Sequence, residues 1–128
     1  MRKIEAIIRP ERADSVREAL RQLGCGGVTV YSASGHGIQR GVHQTWRGAE
    51  YVVDLLPKTV VMTVVADADA EEVLETIEAA ARTGRMGDGK VFVSRVERAL
   101  RVRTGETGDA ALRPSRTAGT PQDSREPS

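Results

Sequence analysis

The hydrophobic positions fall into two similar runs separated by a polar, glycine-rich connector. Lys3–Arg9 (KIEAIIR) alternates in part and is rich in Ile, which predicts a strand, and Pro10 punctuates it. Arg12–Leu23 sets Ala13, Val16, Ala19, Leu20 and Leu23 at helical spacing, with Gly24 as the stop. Val28–Ser34 (VTVYSAS) reads as a second strand. After the connector the order returns. Thr59–Ala66 (TVVMTVVA) is a strand. Asp69–Arg82 carries Ala70, Val73, Leu74, Ile77, Ala80 and Ala81 at helical spacing, and Lys90–Ser94 (KVFVS) is the fourth strand. Glu71 and Glu72 fall in the first turn of that second helix, where the helix dipole favours them. Val96–Arg103 reads as a short helical turn followed by an extended end.

Two β-α-β units in one short chain predict an α+β, ferredoxin-like βαββαβ domain over residues 1–104. Its sheet is antiparallel and four-stranded, with both helices on one face. In TVVMTVVA, Val60, Met62, Val64 and Ala66 alternate with Val61 and Val65, so the strand is apolar on both sides. A sheet of that kind must bury both faces, which implies self-association through the helix-free one. The connector, about Gly35 to Glu50 (GHGIQRGVHQTWRGAE), has neither helical nor strand period and is expected to be a long structureless loop of functional use.

Composition sharpens this reading. Only 3% of the 128 residues are aromatic, namely Tyr31, Trp46, Tyr51 and Phe92. The core must therefore be aliphatic, and an RNA-binding platform of stacked aromatics is disfavoured. Two of the four aromatics belong to the connector or its edge. A formal charge of +1 supplies no field for nucleic acid or anionic membrane. No apolar run is long enough to span a bilayer, and the start MRKIEAIIRPER is charged too early for a signal peptide. A single cysteine, Cys25, forms no internal disulfide and no cysteine metal cluster. A cytoplasmic protein is the expectation. Residues 105–128 lack large apolar side chains almost entirely and are expected to form a disordered extension.

The candidate chemistry lies in loops. In Thr83–Lys90 (TGRMGDGK), Gly84, Gly87 and Gly89 let backbone amides converge on an anion, with Arg82, Arg85 and Lys90 alongside. A phosphate cradle and a plain glycine-capped turn fit this stretch equally well. Arg101-Val102-Arg103 would, if extended, direct two guanidinium forks to one side, as polyphosphate recognition needs. The combination favours a nucleotide polyphosphate site. His36 and His43 lack metal-ligand spacing, and Asp54 and Asp88 have no nucleophile to pair with. The sequence reads as a binder rather than an enzyme.

The segments KIEAIIRP, RGAEYVVD followed by LLPK, AARTGRMGDGKVFVS and RVRTGETGDAAL resemble the PII nitrogen-regulatory signal-transduction proteins, over about residues 1–112. The resemblance implies a homotrimer with sheets facing inward and ATP or ADP held between subunits. It places Thr29, Gly35, Gly37, Val64, Gly87, Asp88, Gly89, Lys90, Arg101 and Arg103 at the nucleotide. Gln39 matches a glutamine that coordinates Mg²⁺ together with ATP and 2-oxoglutarate, and Lys58 matches a lysine that pairs with the 2-oxoglutarate carboxylate. Tyr51 matches a tyrosine that a nucleotidylyltransferase modifies in some members. Residues 35–50 correspond to the T-loop, in which Gln39, Arg40, Gly41, Trp46, Arg47 and Glu50 would meet an ammonium channel or metabolic enzymes, recruiting the protein to the membrane in the first case. Residues 82–90 correspond to the phosphate loop.

The chain also departs from the family pattern. Ile38 stands where an arginine is usual, Met62 where a glutamate is, Arg95 where a proline is, and Trp46 where a tyrosine is. These departures bear on nucleotide affinity and partner choice. They motivate three alternatives: a divergent paralogue that regulates another transporter or enzyme with reduced 2-oxoglutarate response, a slow nucleotide hydrolase, and a trimeric scaffold without ligand response.

Overall fold

The structure is a computed structural model, and it describes residues 1–35, 43–46, 49–52 and 56–113, with the backbone alone for the two short segments between 43 and 52. Strand β1 (Arg2–Ile8) leads through a 3-10 turn at Pro10–Arg12 into helix α1 (Ala13–Leu23). Strand β2 (Thr29–Gly35) follows, then β3 (His43–Trp46), β4 (Ala49–Val52) and β5 (Leu56–Val65). Helix α2 (Ala70–Ala81) and strand β6 (Gly89–Arg95) complete the repeat. The main sheet is antiparallel in the order β2-β5-β1-β6, which is the predicted ferredoxin-like arrangement.

The alternation of β1 decides the layers. Ile4, Ala6 and Ile8 are essentially inaccessible and pack with Val61 and Val65 of β5 against Val16 and Leu20 of α1 and Val73 and Ile77 of α2. The core is aliphatic throughout, as the scarcity of aromatic residues requires. Each fully buried Leu or Ile in it contributes on the order of 2 kcal/mol of transfer free energy. Thr63 is the polar exception, and its hydroxyl donates to the Gly27 carbonyl at 2.7 Å, so its burial leaves no group unpaired.

The opposite rows of the same strands have no helix over them. Register places Thr29 beside Met62, Tyr31 beside Val60, Val60 beside Ile7, and Phe92 beside Glu5 on this open face. Tyr31 and Phe92 are about half exposed there, at 46% and 52%. The Tyr31 hydroxyl donates to Glu5 at 2.8 Å, and that bond, before burial and the Glu5 charge, raises the phenol's pKa.

Four expectations are corrected. The connector contains a two-stranded ladder, β3 with β4, which pairs His43 with Val52 and Trp46 with Ala49. Backbone pairing alone defines this ladder, and the connector's sequence carries no period that would predict it. The helical turn expected after Val96 is absent: this stretch is irregular as far as an isolated bridge between Leu100 and Thr107. Arg101–Arg103 is part of a turn, closed by the Gly105 amide on the Arg101 carbonyl at 2.8 Å, and is not extended. Disorder was expected over residues 105–128, yet residues 105–113 fold back, with a 3-10 turn at Gly108–Leu112, and residues 114–128 lie outside the described residues. Polar anchoring around Arg101 replaces the apolar burial whose absence suggested disorder. Where a proline was the usual residue, Arg95 instead ends β6 paired with Arg2.

Candidate functional site: a braced glycine loop at one end of the sheet

The carboxyl ends of β1 and β2 and the amino ends of β5 and β6 meet at one end of the sheet. The loop between α2 and β6 lies over this end. The end of α2 is fixed by Arg12, whose Nε donates to the Ala80 carbonyl at 3.0 Å. The chain then enters Thr83–Gly89, where amides do converge on an anion, but the anion is the protein's own. Asp88 Oδ2 accepts from the Thr83 and Gly84 amides at 2.8 and 2.9 Å. Its Oδ1 accepts from the Thr83 hydroxyl and, at 2.9 Å, from Arg9 Nε. The Thr83 hydroxyl foremost, then Arg9 and the two amides, hold the Asp88 carboxyl well below the usual carboxylate range.

Two cations clasp the loop's carbonyls. Arg9 Nη2 donates to Met86, and Lys58 Nζ donates to Gly87 at 2.7 Å. Gly89 closes the loop onto the sheet. It pairs with Ile8 at a φ of +102°, and a Cβ there would lie 1.8 Å from the Ile7 carbonyl oxygen. No side chain fits at that position.

Thr29, Lys58, Val64 and Lys90 occupy rows of the open face, and Gly35 ends β2 on the same set of rows. Thr29 and Lys90 are exposed, while Lys58 and Val64 are half-buried. The fold sets Gly35, Lys58 and Lys90 at the loop's end of this face, near Gly87, Asp88 and Gly89, and Thr29 and Val64 on the same face toward its other end. It does not bring Arg101 and Arg103 to the loop. The segment that holds Arg101 lies toward the far end of β5, where Leu112 and Arg113 line a cleft with Val64, Val65 and Cys25. Five residue steps separate the rows of Lys90 and Val65 along β1, about 17 Å at strand rise.

Arg101 is itself buried, at 7% exposure. Its Nη1 pairs with Glu106 at 2.8 Å, and its Nη2 donates to the carbonyls of Ala111, at 3.1 Å, and Arg113. Its Nε has no protein partner. Arg103, by contrast, is exposed.

Gly37, Gln39, Arg40, Gly41 and Arg47 lie outside the described residues, as do His36, Ile38 and Asp54. Trp46 ends β3, and Glu50 and Tyr51 lie in β4 opposite Thr45 and Gln44. Among the described residues no group of His, Cys, Asp or Glu is arranged to hold a metal ion. Sequence reasoning missed Arg9, Thr83 and Glu106. Arg9 and Asp88 are 79 positions apart, beyond the reach of any local period. The one available signal was Pro10, which pins the backbone of the residue before it.

The chain matches the profile of the family described as Nitrogen regulatory protein P-II over residues 1–106. It belongs to the P-II family. The P-II protein of Rhizobium meliloti is 58% identical over 112 residues, 88% of this chain and 100% of that protein. The P-II protein of Rhodospirillum rubrum is 53% identical with the same coverage. Nitrogen regulatory protein P-II 2 of Methanothermobacter thermautotrophicus is 48% identical, over 88% of this chain and 97% of that one. P-II proteins are named as regulators, so this chain is a signal-transduction regulator and not an enzyme, and the hydrolase alternative falls away. Among the described residues no helix is long and apolar enough to cross a membrane.

Proposed function

We propose that this P-II protein is a trimeric cytoplasmic sensor that binds ATP or ADP and, with Mg²⁺, 2-oxoglutarate, and that signals through residues 35–50. The observation that carries this reading is the convergence of Lys58, Lys90 and the Thr83–Gly89 loop at one end of an open sheet face, in a chain of this family. The donor set suits the ligands. An exposed Lys90 beside a glycine loop offers charge to a phosphate, and Lys58 offers a point charge to a carboxylate. Gln39 supplies an amide oxygen, a suitable ligand for a hard cation such as Mg²⁺.

The separation between the loop and the segment that holds Arg101 and Arg103, at opposite ends of the sheet in one chain, favours a site completed by a second copy. In that arrangement Arg103 is presented to the neighbour's loop, and Arg101 shapes the turn that presents it. Exposed Tyr31 and Phe92 favour burial of the open face in such an assembly. The loop 35–50, with Gln39, Arg40, Gly41, Trp46, Arg47 and Glu50, engages an ammonium channel or a metabolic enzyme, and Tyr51 is the candidate for nucleotidylylation.

Met62, which faces the open side between Thr29 and Glu5 where a glutamate is usual, favours a second version of this reading. In that version the chain is a divergent paralogue serving another transporter or enzyme, with a weakened 2-oxoglutarate response. Calorimetry with ATP, ADP and 2-oxoglutarate, with and without Mg²⁺, separates the two. Binding of 2-oxoglutarate only in the presence of Mg-ATP supports the first version. Nucleotide binding with no 2-oxoglutarate signal at saturating Mg-ATP supports the second, and no nucleotide binding overturns both.

A further inference from the structure

Arg9 has no place among the expected ligand residues, yet its interactions in the loop are unusually specific. Its backbone is set before its side chain acts. It follows the last residue of β1 and precedes Pro10, which holds it in the extended region, and its carbonyl accepts the Arg12 amide at 3.0 Å. From that anchored position the guanidinium crosses to the loop and divides its donors. Nε goes to the Asp88 carboxylate and Nη2 to the Met86 carbonyl. The side chains of Arg9 and Asp88 are 18% and 24% exposed, so the pair is shielded from water but not sealed.

Asp88 in turn gathers the Thr83 and Gly84 amides and the Thr83 hydroxyl, which in its turn accepts from the Arg85 amide at 3.2 Å. One guanidinium thereby fixes the loop at both its carbonyl side and its amide side. It also offsets a carboxylate that would otherwise repel an incoming phosphate. A lysine cannot reproduce this, because an ammonium has no planar fork with two fixed donor directions.

We infer that Arg9 and Asp88 form a positioning pair that holds the 83–89 loop in the shape a phosphate group requires, and that neither side chain binds the ligand itself. The inference rests on the nucleotide reading above for the identity of the ligand. The brace is a property of the protein without ligand, and it can be measured separately.

The test uses the full chain as wild type, Arg9→Met and Arg9→Lys, with two readouts. Amide hydrogen exchange is followed in the absence of ligand, and Mg-ATP affinity is measured by calorimetry. Arg9→Met is expected to speed exchange at the Thr83 and Gly84 amides by tenfold or more, while amides of α2 and the sheet stay protected as a control for folding. It is expected to weaken Mg-ATP by about tenfold, the scale of a lost charge-assisted hydrogen bond. Arg9→Lys, which keeps the charge and the fold but not the fork, should lie between the two in both readouts.

Unchanged loop exchange in both variants overturns the pair, as does faster exchange with unchanged affinity. Lost affinity with unchanged exchange also overturns it, because Arg9 would then be touching the ligand. If the wild-type protein takes up no Mg-ATP, the nucleotide reading fails. The exchange data alone then decide whether the brace exists, with faster loop exchange supporting it and unchanged exchange overturning it.

Discussion

The Thr83–Gly89 loop and the 101–113 turn are built around opposite charges. In the first, a carboxylate at the centre collects N–H and O–H donors from the chain around it. In the second, a guanidinium at the centre collects the Glu106 carboxylate and the carbonyls of Ala111 and Arg113. Both segments are rich in glycine and charge, and by composition both read as exposed loops. They differ in what the central charge leaves available. Asp88 draws the loop inward and leaves Lys90 exposed beside it, next to the open sheet face. Arg101 spends both of its Nη groups on its own turn, and Arg103, two residues on, is exposed. A charged residue in a glycine loop can therefore serve as the centre that shapes it or as the hand it extends, and only its burial and partners distinguish the two.

The largest expected break in this comparison is Glu106→Ala. It leaves the buried Arg101 charge with carbonyl partners alone and should destabilise the 101–113 turn by about 2 kcal/mol, read by chemical denaturation and by exchange of the Gly105 amide. The 83–89 loop at the far end should keep its protection, and a loss there would mean that the two segments are coupled. Lys90→Ala should do the reverse. An exposed lysine contributes little to stability, so denaturation should shift by less than about 0.5 kcal/mol. Mg-ATP affinity, however, should fall by about tenfold in calorimetry. Unchanged affinity would remove Lys90 from the phosphate role.

Acid sharpens the contrast further. The Asp88 pKa is depressed in the folded state, so its contribution is complete above the ordinary carboxylate value and is lost only as pH falls through the lower folded value. The Thr83 and Gly84 amide resonances should therefore hold their positions from pH 7 down to about 4 and move only in stronger acid. Movement between pH 6 and 5 would contradict the bonding described.

The smallest effect is a reporter. Burial, and then the Asp69 and Glu72 carboxylates, raise the Cys25 thiol pKa, which lowers its thiolate fraction at neutral pH. Cys25 shares its cleft with Asp109, Leu112 and Arg113. Its alkylation should be slow in the wild type, a few-fold faster in Glu106→Ala and unchanged in Lys90→Ala. Equal rates in all three proteins would show that the turn does not cover the thiol.

The parts of this molecule that were legible in the sequence are those that repeat. Ile4, Ala6 and Ile8 alternate, and Val16 with Leu20, and Val73 with Ile77, recur at one helical turn, so strands, helices and the buried face follow from local spacing. The β3–β4 ladder was not legible because its residues carry no alternation that would mark a strand. Among the candidate ligand positions, Lys90 emerged from residue type beside a glycine loop, and Lys58 only from the resemblance to the family. Their scaffolding did not, because Arg9 meets Asp88, and Lys58 meets Gly87, across long sequence separations that only the sheet brings together. The reading of Arg101 failed for a related reason. Alternate residues share a side only in an extended segment, and a turn five residues long is set by contacts further along the chain.

Gly89 has a consequence for how variation in this chain is interpreted. The Ile7 carbonyl occupies the space where any side chain would begin, so even alanine is excluded whether or not a nucleotide ever arrives. A saturation scan will score the position as intolerant, and related chains should retain glycine there, for purely steric reasons. That signal is easily mistaken for selection on binding, because Lys90 is adjacent. A chain that had abandoned its ligand would keep Gly89 and let Lys90 drift, so divergence between these two adjacent positions is a record of whether the site is still in use.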